Sequence, residues 1–172
     1  MRKLFEEKLI ELGCSYSYQH GGFYVLYDKI KNYFLTVRLM ISQQPRSLIY
    51  GSKNGLDIQS IGLFRLKQST FDQGPEFYIF MFQNSNNQRI DHIIIPNNEL
   101  MKRLSKESFV TEHPKSIRLV FWLMPENSIF NVSEISPEGE WFHLSKGVGG
   151  RMAEGTDIDF TRFLNNWEQL KL

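Results

Sequence analysis

Residues Phe77 to Phe82 read FYIFMF, an apolar run with no polar interruption. Successive side chains of an extended chain point to opposite faces, so a run apolar at every position needs cover on both sides. The run therefore predicts a central strand rather than a half-exposed one. Asn84 to Asn87 make a turn, and Ile90 to Ile95 return as a second apolar strand that ends at Pro96. Asn97 or Asn98 then caps a short helix through Leu104.

Around this pair the remaining elements alternate in type. Phe5, Leu9 and Leu12 mark an amphipathic helix over residues 2–12, with Lys3 and Glu7 pairing on its outer face and Gly13 as its stop. Strands follow at Phe23 to Tyr27 and Tyr33 to Ile41, joined by the polar turn 28–32. In the second, Leu35, Val37, Leu39 and Ile41 alternate with Thr36, Arg38 and Met40, the pattern of a half-buried strand. Residues 42–56 are a long polar loop, and a strand runs through Ile61 to Lys67. Further strands are expected at 117–123 and 129–135, a Gly-rich loop at 145–156, and a closing helix. Asp157 or Asp159 would cap that helix, which carries Phe160, Phe163, Leu164 and Trp167 on one face. The fold class is α/β or α+β: a mixed central sheet flanked by N-terminal, middle and C-terminal helices.

With 172 residues and no linker or repeat, the chain reads as a single domain over 1–172. Its 14 phenylalanines favour a sheet-rich core. Lys+Arg total 20 against Asp+Glu 19, so overall charge gives no pull toward nucleic acid, membrane or an acidic partner, although a local basic groove is compatible with it. The single cysteine, Cys14, rules out an intramolecular disulfide and a Cys-based zinc site, and a small buried thiol is its default reading. Glu6 and Glu7 interrupt the apolar core a signal peptide would need, and no run is long enough for a membrane helix. A cytoplasmic protein with no membrane partner is the expectation.

The chemistry-bearing segment is Asp57 to Lys67, DIQSIGLFRLK. If it is extended throughout, Asp57, Gln59, Arg65 and Lys67 share a face. An acid and a lysine on one strand face can hold Mg²⁺ and orient water, and the bland reading of the same pattern is the solvated face of an edge strand. The runs GLFRLKQS, FYIFMF and DHIIIPNNELMKRL, with the ending FLNNWEQL, together resemble the restriction-endonuclease-like, PD-(D/E)XK nuclease superfamily. The likeness covers residues 55–104 and the last dozen.

The resemblance implies a DNA-directed, Mg²⁺-dependent site. It would place Lys67 at the catalytic lysine, Asp57 at the metal-binding aspartate, and Glu7 or Glu11 at an acid on the first helix. Arg65 stands where the family has an acid, so another carboxylate, Asp72 or Glu76, would have to serve, or catalysis is lost.

Lys146 to Arg151, KGVGGR, could bring backbone N–H groups and two cations to a phosphate, though its spacing matches no established phosphate loop. With Arg65, Lys67, Lys102 and Arg103 it would supply a basic rim for nucleic acid. His20, His92, His113 and His143 share no metal-ligand spacing; His20 reads as a turn residue and His92 as a sheet residue with a satisfied ring nitrogen. Trp122, Trp141 and Trp167 are read as core residues or as docking the final helix. Two functions follow. One is a nucleic-acid protein with a nuclease-like fold, either a Mg²⁺-dependent endonuclease with a rearranged acid set or an inactive descendant that still binds. The other is a non-catalytic module that binds and regulates a protein partner.

Overall fold

The structure is a computed structural model that describes residues 1–28, 31–42, 60–67, 74–83, 89–104, 116–123, 145–148 and 160–170. In chain order these form α1 (Arg2–Glu11), β1 (Ser15–Tyr18), β2 (Phe23–Asp28), β3 (Tyr33–Ile41), β4 (Ser60–Lys67), β5 (Phe77–Gln83), β6 (Ile90–Pro96), α2 (Asn97–Leu104), β7 (Ser116–Leu123) and β8 (Ser145–Val148). Five strands make a mixed sheet in the order β1-β2-β3-β5-β6, and β4, β7 and β8 make a second sheet. With two α-helices among the described residues, the protein is α+β.

The FYIFMF run sits where its sequence requires. β5 lies between β3, to which it is parallel, and β6, to which it is antiparallel. Its alternate residues feed two separate cores. Ile79 and Met81 join Phe5 and Leu9 of α1, Leu26, Val37 and Ile94 on one face. Tyr78, Phe80 and Phe82 join Phe64 and Leu66 of β4, Leu119, Phe121 and Leu100 on the other. The first sheet is therefore covered by α1 on one side and by the second sheet with α2 on the other. At the sheet-to-sheet contact Gly62 lets the rings pack closely, since a Cβ there would lie 2.7 Å from Cε2 of Phe64 and 3.1 Å from Cγ of Phe82 and would force them to shift.

Several expectations need correction. Helix α1 ends at Glu11, and Leu12, past its last turn, is exposed rather than packed with Phe5 and Leu9. Gly13 does stop the helix, at φ +74°, and Lys3 pairs with Glu7 at 3.7 Å. Strand β1, not anticipated, pairs antiparallel with β2. Residues 145–148, expected as loop, form β8 alongside β7; pairing to a strand edge overrides the weak strand preference of Lys146 and Gly147. The strand expected at 129–135 and the loops 43–56 and 149–156 lie outside the described residues.

The largest correction concerns the C-terminal helix. Residues 160–170 carry two short 3-10 turns, 161–163 and 167–170, instead of one α-helix. Asn165 breaks the helical path with φ +51°, a conformation that asparagine tolerates better than most residues. The segment crosses the edge of β6 from one face to the other. Phe160 and Phe163 enter the core on the β4 side, while Trp167 and Leu170 enter the core on the α1 side.

Candidate functional site

In β4, Phe64 and Leu66 point into the core, which leaves Arg65 between them exposed. The β4–β7 register sets Arg65 directly opposite Arg118 and ends with Lys67 opposite Ser116. Like charges at opposed positions of an antiparallel pair repel unless something negative lies between them. Lys146 falls in β8, where pairing with β7 shifts register between Phe121 and Leu123. For Lys67, Arg118 and Lys146 the backbone alone is described, and Asp57, Asp72 and Arg151 lie outside the described residues.

Among the described residues, the acids assigned to the metal do not gather at β4. Glu7 is exposed on α1, paired with Lys3, and α1 lies across the five-stranded sheet from β4. Glu11 is on the same helix, hydrogen-bonded by Lys8 at 2.8 Å. Glu76 accepts hydrogen bonds from the Thr36 N–H (2.7 Å), the Thr36 hydroxyl (3.1 Å) and the Tyr33 hydroxyl (3.3 Å), and so closes the start of the β3–β5 ladder. Among the described residues no three His, Cys, Asp or Glu side chains are grouped to hold a metal. Glu7 thus does not fit a Mg²⁺ site shared with β4.

Arg103 is not part of a basic rim. It is buried, bound to Glu99 Oε2 at 2.7 Å, and lies over the rings of Phe160 and Phe163. Arg162 reaches the same carboxylate oxygen at 2.6 Å. These hydrogen bonds hold the Glu99 carboxyl below its ordinary range, with Arg103 the largest influence. The trio ties α2 to the C-terminal segment.

A second polar cluster lies at the β6 edge. Asn165 accepts from the His92 N–H at 2.8 Å, donates to Asp91 Oδ1 at 2.8 Å, and its own N–H donates to the His92 carbonyl at 2.6 Å. Arg89 reaches Asp91 Oδ1 at 2.9 Å. His92 is only half satisfied: Nδ1 lies 3.4 Å from Asn165, while Nε2 is buried with no partner. Burial, the largest cause, pushes its pKa down to about 4. Its ring meets Trp167 edge-on at 4.7 Å, so Trp167 docks the final segment as expected. His20 lies in the 3-10 turn 20–22, while Cys14 is half-buried, with its thiol pKa raised mainly by burial.

The β2–β3 hairpin presents a face that sequence reasoning passed over. Its register opposes Tyr27 to Phe34 and Phe23 to Arg38. The Tyr27 and Phe34 rings stack at 4.5 Å, and Phe34 remains 57% exposed. The Arg38 guanidinium lies 4.8 Å from the Phe23 ring centre, and its Nε and Nη1 are shut from solvent without an acceptor. The signal was present in the sequence: two aromatics equidistant from one turn, with an arginine among the polar positions of the second strand.

Compared with protein-family models, curated proteins and solved structures, the chain matches none.

Proposed function

We propose that this protein binds nucleic acid through its second sheet, with β4 and β7 contacting the phosphate backbone. The observation that carries the reading is the exposed Arg65, whose position in β4 the register sets directly opposite the position of Arg118 in β7. Lys67 lies two positions further along the same strand, and Lys146 lies on β8, toward the Leu123 end of β7. The resemblance to the PD-(D/E)XK nucleases favours DNA as the polymer, and Arg65 in place of an acid favours binding over cleavage.

The test is binding of a labelled DNA duplex across a salt series. Wild type should bind with affinity that falls steeply as salt rises, and Arg65→Glu should weaken it and lower the salt slope by about 1. Duplex affinity unchanged in Arg65→Glu would overturn the reading. The same preparations, incubated with plasmid and Mg²⁺ beside Lys67→Ala and Asp57→Ala, test the catalytic form; cleavage lost in both variants would establish it.

A further inference from the structure

The turn 167–170 is held on the α1 side of β6 by a few contacts gathered around one titratable ring. Trp167 lies edge-on against His92 at 4.7 Å and meets the Phe5 ring at 6.1 Å, while Leu170 is buried in the same core. Gln169 donates from its side chain to the Ile94 carbonyl at 3.3 Å. The turn follows a bend in which Leu164 is extended at ψ 119° and Asn165 is left-handed at φ +51°. Up to that bend the chain is fastened without the turn's help. Leu164 bridges to Ile93, Asn165 bonds to Asp91 and His92, Asn166 donates to the Arg162 carbonyl, and Phe160 and Phe163 fill the opposite core. Lifting 167–170 therefore leaves every one of these earlier contacts in place.

What lies beneath the turn ties its closure to protons. A protonated imidazole has two N–H donors, yet His92 Nε2 is buried with no acceptor. Among the described groups around the ring, α1 brings Lys8, itself paired with Glu11, and β6 brings Asp91 and Arg89. Lys8 and Arg89 disfavour the charged ring and Asp91 favours it. On β5 the uncharged Met81 stands opposite His92, and the turn itself carries Glu168, which is exposed. A charged His92 is thus accommodated only where water reaches Nε2, and moving Trp167 off the ring admits it. We propose that residues 167–170 form an acid-sensitive latch, closed over neutral His92 and released when the ring takes a proton, so that the ring and the Phe5 and Ile94 surface beside it become accessible. With the latch closed the ring titrates at about 4, and with the latch open it titrates near the ordinary 6.5. The open state therefore holds the extra proton between those values, and opening becomes about a hundredfold more favourable from pH 7 to pH 4.

Amide hydrogen exchange on the full chain, followed by NMR and corrected for the intrinsic rate at each pH, tests the latch. The Trp167 and Gln169 amides should be protected at pH 7, but at least about tenfold less than the amides of β5, because local release uncovers them before global unfolding does. Their protection should fall about a hundredfold by pH 4, and His92→Gln should abolish that fall. Lys8→Met, which removes a charge that disfavours the protonated ring, should make the fall smaller. Conversely, Trp167→Ala should raise the His92 ring titration from about 4 toward 6.5 while β5 stays protected, since coupling between proton and latch is reciprocal. Turn amides as protected as those of β5 would overturn the latch, because only global unfolding would then uncover His92. So would turn amides unprotected at pH 7, a fall of less than about twofold, or a fall that persists in His92→Gln. If His92→Gln does not fold, Trp167→Ala decides: a ring still titrating near 4 in that variant overturns the proposal.

Discussion

Over the face of the sheet that carries Ile79 and Met81, α1 and the C-terminal segment bury Phe5, Leu9, Tyr24 and Leu170 almost completely. Over the opposite face, the second sheet and α2 cover β5 and β6 through Phe64, Leu66, Leu119 and Leu100, but Phe34 at the β2–β3 end stays exposed. The same hairpin thus contributes to a closed core on one side and to an accessible surface on the other. A strand pair can be held rigid from behind while its front stays available. A recognition surface benefits from such support, because little ordering is needed when a ligand arrives.

The sharpest way to break this comparison is to truncate one aromatic from each side. Phe5→Ala, on the closed side, should cost about 3–5 kcal/mol in urea unfolding, whereas Phe34→Ala should stay within about 0.5 kcal/mol. Comparable losses at the two positions would mean that the open face is structural after all.

Acid should weaken the closed side at the β6 edge. Folded His92 stays neutral down to about pH 4, while the unfolded chain takes up its proton near the ordinary 6.5. Between those values the unfolded state holds the extra proton, so stability falls as pH drops from about 6.5 to about 4, by up to about 3 kcal/mol, with no further contribution below that window. Above pH 6.5 the contribution is full. Unfolding midpoints across that range should flatten in His92→Gln, which keeps a polar group but cannot titrate. Asp91, which favours the charged ring, and Lys8 and Arg89, which disfavour it, also act on His92.

Asn165→Ala removes the acceptor of the His92 N–H and the donor to Asp91 together. It should cost about 2–3 kcal/mol by denaturant titration, because buried partners are left unsatisfied. A loss below about 0.5 kcal/mol would show that the segment is held by Phe160, Phe163 and Leu170 alone. The smallest effect belongs to the outer surface of α1. Glu7→Ala, which breaks only an exposed pair with Lys3, should shift stability by less than about 0.5 kcal/mol and leave any Mg²⁺-dependent activity unchanged.

Much of this architecture could be read from residue patterns, for reasons that differ between elements. FYIFMF announces burial on both faces because period two leaves it no polar side, and Leu35, Val37 and Leu39 announce one buried face of β3 by the same rule. The C-terminal segment misleads because Phe160, Phe163, Leu164 and Trp167 fall at helical spacing. Asn165 takes a left-handed conformation between them, and its side chain exchanges helical order for hydrogen bonds to β6. Partners distant in sequence, such as Asn165 and Asp91, leave no local periodicity to find. Among the candidate site residues, strand alternation correctly exposed Arg65, whereas nothing in the sequence places α1 across the sheet and so separates Glu7 from β4. Arg38 needed the hairpin register before its opposition to Phe23 could be recognised.

The C-terminal segment also fixes when the sheet can be finished. Ile93 bridges to Leu164, and Gln169 reaches the Ile94 carbonyl from 75 positions away. During synthesis at about 5–20 residues per second, β6 therefore waits several seconds with its outer edge unpaired. That interval is when the nascent chain is most open to joining the wrong strand, its own or a neighbour's.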